Sequence, residues 1–505
     1  MYRQNMNYQK IHFIGICGAG MSAVSKLCKD MGVIVSGSDE GFYPPISEYI
    51  LENNIPFIKG FSKDNIKEDV NLVVIGKHAA LTPEQNAEVA RAFELRTQNK
   101  IEIFSFPQLL KEITKHRENI LCVGSYGKST TTAILSHTLE SVDLDVGYFI
   151  GAAPFTPSSN AHIGKHKSFI LEGDEYPSAN WDITSKFLHL NANSILLTSL
   201  YHDHVNIFKT HADYKKPFLD LIKQITNNKD QITNNKKIVL CLDDKSINEE
   251  LENIKNIVEG DTEKNTEIIT YSLENNTADY FGGNISFGEV SKFTLFYKNQ
   301  KVLDLETTLL GKHNIQNIIG VCAIIFSKNL LNKESAEDLV KLFTAIKSFK
   351  GVKRRLDLLS EGKQIKIYEG FGSSYEKARA AIDAILLHFP NKKLVILFEP
   401  HTFSWRNREA LYWYDDVFKE AQIIFVYQPP THGEADHAQV SQNEIIERIK
   451  LSPDKTNKDQ EVIKLNKGIE DVDFIISKID SDSVLLILSS GDMGGIIKVL
   501  PQRVL

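Results

Sequence analysis

Hydrophobic and polar positions in the first part of the chain follow two alternating periods. The segments IHFIGI (11–16), VIVSG (33–37) and NLVVIG (71–76) are short and rich in β-branched residues, which indicates buried strands. Between the first two, MSAVSKLCKDM (21–31) repeats its apolar residues at helical spacing and stops before Gly32. Strands that alternate with helices are typical of βαβ units, so the pattern predicts a parallel sheet in an α/β fold.

The same alternation begins again twice further along the chain. A second set of strand-like runs comprises ILCVG (120–124), SFIL (168–171), SILLT (194–198) and KIVLCL (237–242). A third set comprises QIKIYEG (364–370), KLVILFEP (393–400), IIFVY (423–427) and SVLLILSSG (483–491). Between these sets, residues 260–310 alternate polar and apolar positions, which predicts antiparallel strands, and helical patterns follow at 314–329 and 335–347.

The chain of 505 residues is too long for a single hydrophobic core. We predict three α/β domains: a Rossmann-like domain at 1–116, a central P-loop domain at 117–349 and a second Rossmann-like domain at 350–505. The polar stretch KEITKHREN (111–119) carries the first boundary. A duplicated QITNNK, at 224–229 and 231–236, indicates an exposed insertion at a helix end.

Composition excludes only a few classes of function. The net charge of −7 gives no reason to expect nucleic acid or an anionic membrane as the partner. No secretory signal or apolar run of about 18 residues is visible, and the five cysteines form no CxxC pair. We therefore expect a cytoplasmic protein with reduced thiols and no disulfide framework or zinc site.

A first glycine cluster follows the first predicted strand. Gly15, Gly18 and Gly20 lie where backbone N–H groups and a helix N-terminus can bind a diphosphate, and Asp39 ends the next strand, where an acid can meet ribose hydroxyls. The spacing GxxGxG differs from that of redox dinucleotide sites, which favours another nucleotide diphosphate. The alternative is a turn that serves only tight packing.

The motif GSYGKST (124–130) follows the strand ILCVG and opens a predicted helix. A strand, a glycine turn and a helix together form a phosphate-binding loop. Lys128 is expected to neutralise phosphate charge, and the Ser129 hydroxyl to ligate Mg²⁺. The usual longer pattern has glycine at position 122, where Cys122 stands.

Polar clusters follow later strands at their carboxyl ends, where open α/β sheets bind ligands. Glu172 of EGDEY (172–176) is positioned to hold Mg²⁺, and YHDHVN (201–206) suggests a polar or metal site. A solvated acidic loop and structural histidines are the respective alternatives.

Two further segments carry side chains suited to nucleotide contacts. GKHNIQN (311–317) puts His313 and Asn317 on one helix face with Asn314 beside them, and asparagine can read an adenine edge. The adjacent Arg354 and Arg355 suit bidentate phosphate contacts, although a solvated basic strand is equally consistent.

Taken in order, GxxGxGM, SD, GKST, EGDE, DH, HNxxN, GVxRR and SSGDMGG resemble the Mur ligase family, the ATP-dependent amide-forming ligases of peptidoglycan metabolism. The family P-loop has two residues between its glycines, and GSYGKST fits that version. The resemblance implies that UDP-N-acetylmuramate is bound by Gly15, Gly18, Ala19, Gly20, Met21, Ser38 and Asp39. It assigns ATP to Gly124, Ser125, Gly127, Lys128, Ser129, Thr130, His313, Asn314, Asn317, Arg354 and Arg355. It assigns catalysis to Lys128, Glu172 and His204, and Mg²⁺ to Ser129, Glu172 and His204.

Within the family, GSDEGFYPPIS (37–47) and EGDEYPSANWDITSKF (172–187) resemble the branch that attaches a salvaged L-Ala-γ-D-Glu-meso-diaminopimelate tripeptide to UDP-N-acetylmuramate. The implied reaction passes through an acyl phosphate, with ATP and Mg²⁺, in a monomer or weak dimer. The alternatives are the branch that adds L-alanine, and a degenerate member that binds nucleotide or UDP-sugar without ligating.

Two departures from the family pattern touch the reaction centre. Where the third domain usually reads Y-[DE]-D-[FY]-A-H-H-P, this chain has YEGFGSSY (368–375), with Gly370, Ser373 and Ser374 in place of the acid and both histidines. The central N-[IL]-E-x-D-H is replaced by TSLYHDH (198–204), which lacks the Asn and the Glu.

Overall fold

The computed structural model describes residues 6–42, 46–157, 159–204, 207–227, 235–261, 265–361, 363–430, 439–454 and 456–504. Half of the QITNNK duplication and the last two residues of YHDHVN lie outside the described residues, so the predicted insertion stays a prediction. The chain forms two compact units. The first comprises Met1–Asn284, Phe293–Leu305 and Ile315–Phe349, and the second comprises Ile285–Lys292, Glu306–Asn314 and Lys350–Leu505.

A five-stranded parallel sheet, in the order β3-β2-β1-β4-β5, begins the first unit. Its strands are β1 Lys10–Ile14, β2 Ile34–Asp39, β3 Phe57–Lys59, β4 Leu72–Ile75 and β5 Glu102–Phe104. The helices of this part are α1 Ala19–Asp30, α2 Ile46–Glu52, α3 Ala87–Thr97 and α4 Phe106–Thr114. The predicted βαβ pattern is confirmed, with the glycine cluster directly after the central strand β1.

A ten-stranded sheet follows, in the order β15-β14-β13-β12-β11-β10-β6-β9-β7-β8. Its strands are β6 Glu118–Val123, β7 Gly147–Phe149, β8 Ala161–His162, β9 Ser168–Glu172, β10 Ser194–Leu197, β11 Lys236–Cys241, β12 Thr266–Ser272, β13 Tyr280–Ser286, β14 Ser291–Tyr297 and β15 Gln300–Thr307. The accompanying helices are α5 Lys128–Ser141, α6 His211–Asn227, α7 Lys245–Glu259, α8 Lys312–Ser327 and α9 Ala336–Ser348.

The orientation of β12 corrects one prediction. This strand pairs in parallel with β11 and with β13, whereas the alternation over residues 260–310 predicted antiparallel strands. Alternating polar and apolar residues report that one face of a strand is buried, and they carry no information on the direction of its neighbour.

The second unit is built on a six-stranded sheet in the order β16-β17-β21-β18-β19-β20. Its strands are β16 Arg355–Leu358, β17 Lys366–Gly370, β18 Lys393–Phe398, β19 Ile423–Tyr427, β20 Glu461–Leu465 and β21 Ser483–Leu488. Its helices are α10 Tyr375–His388, α11 Phe403–Arg406, α12 Gln442–Leu451, α13 Val472–Ser477 and α14 Ile496–Arg503. All neighbours are parallel except β16, which runs antiparallel to β17.

Both faces of this third sheet are buried. Leu486 and Leu488 pack into one hydrophobic cluster, whereas Leu485 and Ile487 of the same strand pack into another. Successive side chains of a strand point to opposite faces, so a central strand covered on both sides reads as a continuous apolar run. This explains why SVLLIL was recognisable as a buried strand.

The polar stretch at 111–119 is less exposed than a linker would be. Helix α4 ends at Thr114 and β6 begins at Glu118, so little loop remains between them. Arg117 is 1% exposed, and its guanidinium donates to the carbonyls of Ile163 and Gly164 at 3.2 and 2.9 Å and to that of His166. The α/β class with three mainly parallel sheets is confirmed, while the boundaries at 116/117 and 349/350 stay predictions.

Within the described ranges, no helix combines the length and the hydropathy needed to cross a membrane.

Candidate functional site

The phosphate-loop motif forms the turn between β6 and α5. Gly124 has φ +140° and Gly127 has φ +85°, conformations that residues with a Cβ rarely adopt. The hydroxyl of Ser125 donates to the carbonyl of Tyr201 at 2.5 Å, and the backbone N–H of Tyr126 donates to the Ser199 hydroxyl at 2.8 Å. These contacts fasten the loop to the segment after β10, so the strand–turn–helix geometry of a phosphate loop is present.

Lys128 opens α5, and its ammonium is held by two oxygen atoms. Nζ donates to the carbonyl of Gly124 at 2.6 Å and to Oε2 of Glu175 at 2.9 Å. The Glu175 side chain is fully buried, and its Oε1 lies 3.1 Å from both the Tyr214 hydroxyl and Nε2 of His204. Burial, together with contact with this carboxylate, raises the pKa of the Tyr214 phenol well above its ordinary value.

Ser129 and Glu172 meet at the same edge of the sheet. The Ser129 hydroxyl donates to Oε1 of Glu172 at 2.7 Å, and the N–H of Gly151 donates to Oε2 at 2.6 Å. Mg²⁺ usually takes one or two protein oxygen ligands and completes its shell with phosphate and water, so this hydroxyl–carboxylate pair fits the ion. Among the residues that the structure describes, no group of three or more His, Cys, Asp or Glu forms a metal cage.

The contacts of His204 are with residues other than Ser129 and Glu172. It has φ +55°, its Nε2 contacts Glu175, and its ring packs edge-on against Tyr176 with 4.4 Å between centroids. The contacts of His204 are therefore with the partner of Lys128, and its predicted role as a metal ligand stays a prediction. Thr130, also predicted to bind nucleotide, is buried in the first turn of α5.

The first glycine turn connects β1 to α1. Gly15 has φ +82° and its N–H donates to the Ser38 carbonyl at 2.9 Å. Oδ2 of Asp39 accepts from the N–H of Cys17 at 2.9 Å, so this acid is fixed beside the turn at the carboxyl end of β2. Gly18 caps α1, whose first residues are Ala19, Gly20 and Met21.

Ser38 is held in the interior of the first sheet. It is fully buried, and its hydroxyl donates to Oε1 of Glu88 at 2.7 Å, while the same oxygen lies 2.6 Å from Nε2 of His12. A contribution of Ser38 to substrate binding would therefore come from its backbone. No sequence pattern indicated this buried network.

A cavity of about 170 Å³ in the first unit is lined by Gly20 of α1 and by Glu172, the partner of Ser129. Its wall also includes Gly151, Asp174 and Lys186. Lys186 pairs with Oδ2 of Asp174 at 2.5 Å, and this ammonium holds the Asp174 pKa below its ordinary value against the effect of burial.

The HNxxN segment opens helix α8. Asn317 is buried beside the phosphate loop: a Cβ on Gly127 would lie 2.9 Å from its Oδ1. Asn314 belongs to the second unit, is buried, and donates from Nδ2 to the Leu310 carbonyl at 2.7 Å, while His313 is exposed. Of the predicted adenine contacts, Asn317 is the one that lies next to the phosphate loop within its unit.

The second unit carries Arg354 and Arg355, both exposed at the start of β16. Nε of Arg354 lies 3.3 Å from Oε1 of Glu369, which immediately precedes Gly370. Burial and the nearby carboxyl of Asp357 raise the pKa of Glu369 to about 7, and burial raises the pKa of Asp357 to about 6.

The substituted residues of YEGFGSSY have structural roles here. Ser374 caps α10 through its hydroxyl, and a Cβ on Gly370 would lie 3.3 Å from the Leu488 side chain. Two other polar residues occupy the same sheet edge: Glu399, buried and bonded to the Ser489 hydroxyl, and His401, whose Nδ1 lies 3.0 Å from the Ser490 hydroxyl. The edge therefore retains acids and an imidazole, although not at the family positions.

Three residues of the site were not predicted. Glu175 and Lys186 lie inside quoted motifs, EGDEY and SKF, but no spacing rule distinguished them from solvated charges. Tyr214 reaches Glu175 from α6, at a separation of 39 residues, and nothing local indicates the contact.

The fold and the turn at 124–130 define an α/β protein of the P-loop class. Residues 10–118 match the family model described as Mur ligase family, catalytic domain, and residues 123–325 match the Mur ligase middle domain. The chain belongs to the Mur ligase family, and it is an ATP-dependent ligase that forms an amide bond.

Similar proteins cover nearly the whole chain. A UDP-N-acetylmuramate–L-alanine ligase of Vesicomyosocius okutanii is 28% identical over 493 residues, which is 96% of this chain and 94% of that protein. The crystal structure of the UDP-N-acetylmuramate–alanine ligase from Thermotoga maritima has a TM-score of 0.70 at 20% identity, with 98% of each chain covered. A murein peptide ligase from Psychrobacter arcticus has a TM-score of 0.61 at 21% identity, covering 98% of this chain and 99% of its own.

Proposed function

We propose that the protein joins the lactyl carboxylate of UDP-N-acetylmuramate to the amine of L-alanine at the expense of ATP. The observation that carries this proposal is the convergence of Lys128, Ser129 and Glu172 at one sheet edge, next to a cavity that reaches Gly20 of the glycine turn. The choice of L-alanine is supported by the named activity of relatives that match along the chain.

In the proposed reaction, the lactyl carboxylate attacks the γ-phosphorus of ATP, the bond to the β-phosphate breaks, and ADP leaves an acyl phosphate behind. The amine then attacks the acyl carbon, phosphate leaves, and the amine loses a proton as the amide forms. Lys128 neutralises charge on the phosphoryl oxygens, so that catalysis is mainly positioning and electrostatic stabilisation. Ser129 and Glu172 would hold Mg²⁺, which when bound spreads the charge of the β- and γ-phosphates. Asn317 and the backbone of residues 124–130 would fix the nucleotide.

The remaining predicted contacts belong to the same proposal. The turn formed by residues 15–21, with Asp39, would bind the UDP-sugar. His204 would act through Glu175 on Lys128 or meet the substrate carboxylate. Arg354, Arg355, His313 and Asn314 lie in the second unit and are proposed nucleotide contacts.

A second candidate acceptor is the L-Ala-γ-D-Glu-meso-diaminopimelate tripeptide. The favouring observation is the segment EGDEYPSANWDITSKF, whose SKF lysine lines the cavity beside Glu172. The structural likeness to murein peptide ligases agrees with this candidate, but it is weaker than the likeness to alanine ligases.

The test is phosphate release by the purified protein with ATP, Mg²⁺ and UDP-N-acetylmuramate, with L-alanine or the tripeptide added separately. We expect release with L-alanine, and a product of the mass of the amide. Turnover with the tripeptide but not with L-alanine would transfer the assignment to the second candidate. Nucleotide binding without an amide product from either amine would show a non-ligating member and refute the proposal.

A further inference from the structure

The cavity in the first unit joins two regions that the proposed reaction must connect. Gly20, in the first turn of α1, and Glu172, at the end of β9, both line it. Glu172 also accepts the Ser129 hydroxyl of the phosphate loop at 2.7 Å. A ligand that extends from the glycine turn to the phosphate loop has this cavity in its path.

The size of the cavity limits what it can hold. Its volume is about 170 Å³. A water needs at least about 10–15 Å³ of such volume, so the cavity holds several waters or a small organic group. A lactyl group, with about five non-hydrogen atoms, fits within it.

The charges in the cavity wall determine where the carboxylate end of a lactyl group can bind. The carboxylates of Glu172 and Asp174 repel an anion, and Lys186 is the cationic residue among the lining side chains of the described chain. Its ammonium donates to Asp174 at 2.5 Å and lies 5.4 Å from the ring centroid of Phe106 and 5.8 Å from that of Tyr176. An ammonium carries three N–H donors, so a fixed cation that already serves Asp174 can still bind a second carboxylate.

We propose that Lys186 receives the lactyl carboxylate of UDP-N-acetylmuramate and so selects this nucleotide sugar over those without a carboxylate. The inference rests on the proposed function, because it deepens the assignment of the same substrate. Asp174, Phe106 and Tyr176 position the ammonium, and Glu172, which accepts the Ser129 hydroxyl of the phosphate loop, lines the same cavity.

Calorimetric titration without ATP separates this role from a structural one. Two probes are compared: UDP-N-acetylmuramate, and UDP-N-acetylglucosamine, which has the same nucleotide and a closely matched sugar but no lactyl ether. We expect Lys186→Met to weaken the first by about 10- to 100-fold and to leave the second unchanged, because only the first loses a charge-assisted contact. Lys186→Arg should recover part of the loss.

A matched control is Lys215→Met. Lys215 has the same exposed fraction as Lys186, 17%, and a similar ion pair, 2.6 Å from Glu250. It should change neither affinity. The double variant Lys186→Met/Asp174→Asn leaves no unpaired acid, and it should show the same selective loss if the single variant folds poorly.

Equal losses for both probes, or no loss for either, would overturn the inference. So would a wild-type protein that binds UDP-N-acetylmuramate no more tightly than UDP-N-acetylglucosamine. The proposed function is judged separately by turnover: selective binding that depends on Lys186, without amide formation, sustains this inference and refutes the ligase assignment.

Discussion

Nζ of Lys128 lies 2.9 Å from Oε2 of Glu175, a carboxylate that is fully buried while the lysine is 14% exposed. The lysine of the phosphate loop is thus already paired with an internal anion. If nucleotide phosphates bind the ammonium of Lys128, they compete with the carboxylate of Glu175. This relationship leads to the first prediction.

Glu175→Gln keeps an oxygen for Tyr214 but leaves Lys128 without its counter-charge. We expect the free energy of unfolding to fall by about 2–3 kcal/mol. Breaking a fully buried ion pair costs about 3–5 kcal/mol, and the loss is smaller here because the lysine is partly exposed. We also expect ATP to bind a few-fold more tightly, since its phosphates no longer compete with the carboxylate. Denaturant unfolding and calorimetric ATP titration measure the two effects.

Glu250→Gln is the control, because Glu250 pairs with Lys215 at 2.6 Å away from the phosphate loop. It should leave ATP affinity unchanged. Weaker ATP binding by Glu175→Gln would show that Glu175 orients Lys128 for phosphate, contrary to this expectation.

Gly127→Ala should damage the phosphate loop through both backbone and side chain. Its φ of +85° costs a residue with a Cβ about 1–2 kcal/mol, and the added Cβ would lie 2.9 Å from Oδ1 of Asn317. We expect reduced stability and ATP affinity at least about tenfold lower, measured by thermal unfolding and titration.

Gly32→Ala provides the matched comparison for the backbone effect alone. Gly32 has φ +87°, and no heavy atom lies within 4 Å of the position that a Cβ would take there. This variant should lose a similar amount of stability, about 1–2 kcal/mol, and keep wild-type ATP affinity. Equal ATP affinities in the two variants would contradict a role for Gly127 in nucleotide binding.

Ser129→Ala and Glu172→Gln should each raise the Mg²⁺ concentration needed for half-maximal ATP binding. Each removes one oxygen of the pair that meets at 2.7 Å, and we expect an increase of about tenfold or more. A Mg²⁺ titration at fixed ATP measures the shift. Ser141→Ala, at the exposed end of the same helix, should not change it; a Mg²⁺ requirement unaffected in both site variants would exclude this pair as the ion's ligands.

Glu369 predicts a pH dependence of stability in the second unit. Its pKa is raised from 4.5 to about 7, chiefly by burial, so the folded protein favours the protonated acid. The stabilisation is complete below about pH 4.5 and is lost as the pH rises through about 7. Relative to Glu369→Gln, which stays neutral, the wild type should therefore lose up to about 3 kcal/mol between pH 4.5 and 7.5.

Urea unfolding followed by tryptophan fluorescence in a Trp181→Phe background tests this, because the two remaining tryptophans, Trp405 and Trp413, lie in the second unit. Glu447→Gln, at a 61% exposed side chain, is the control and should follow the wild type. A wild type and Glu369→Gln with parallel pH profiles would rule out a raised pKa at Glu369.

Sequence reasoning predicted the α/β class and most strands because buried parallel strands are continuous apolar runs bounded by turns. It located the strand–turn–helix at 124–130 because Gly124, Gly127 and Lys128 lie close together in sequence and their spacing is set by local backbone geometry. It misjudged β12, since the direction of a neighbouring strand leaves no mark on residue alternation.

Sequence reasoning could not predict the contacts of Glu175 and Lys186 for a related reason. Glu175 meets Lys128 across 47 residues, and its burial, which gives the contact its strength, is a property of the assembled sheet. In the sequence, Lys186 cannot be distinguished from a surface lysine, because only the folded structure shows the cavity that it lines. The choice between L-alanine and the tripeptide stays open to experiment, because the sequence and the comparisons favour different acceptors.

The buried guanidinium of Arg117 has a consequence for movement within the first unit. Arg117 lies only three residues after α4 ends and one before β6 begins. Its guanidinium donates to the carbonyls of Ile163 and Gly164. The connection between the five-stranded and ten-stranded sheets therefore has almost no slack. Any relative movement of the two sheets at this connection has to break the hydrogen bonds that hold Arg117.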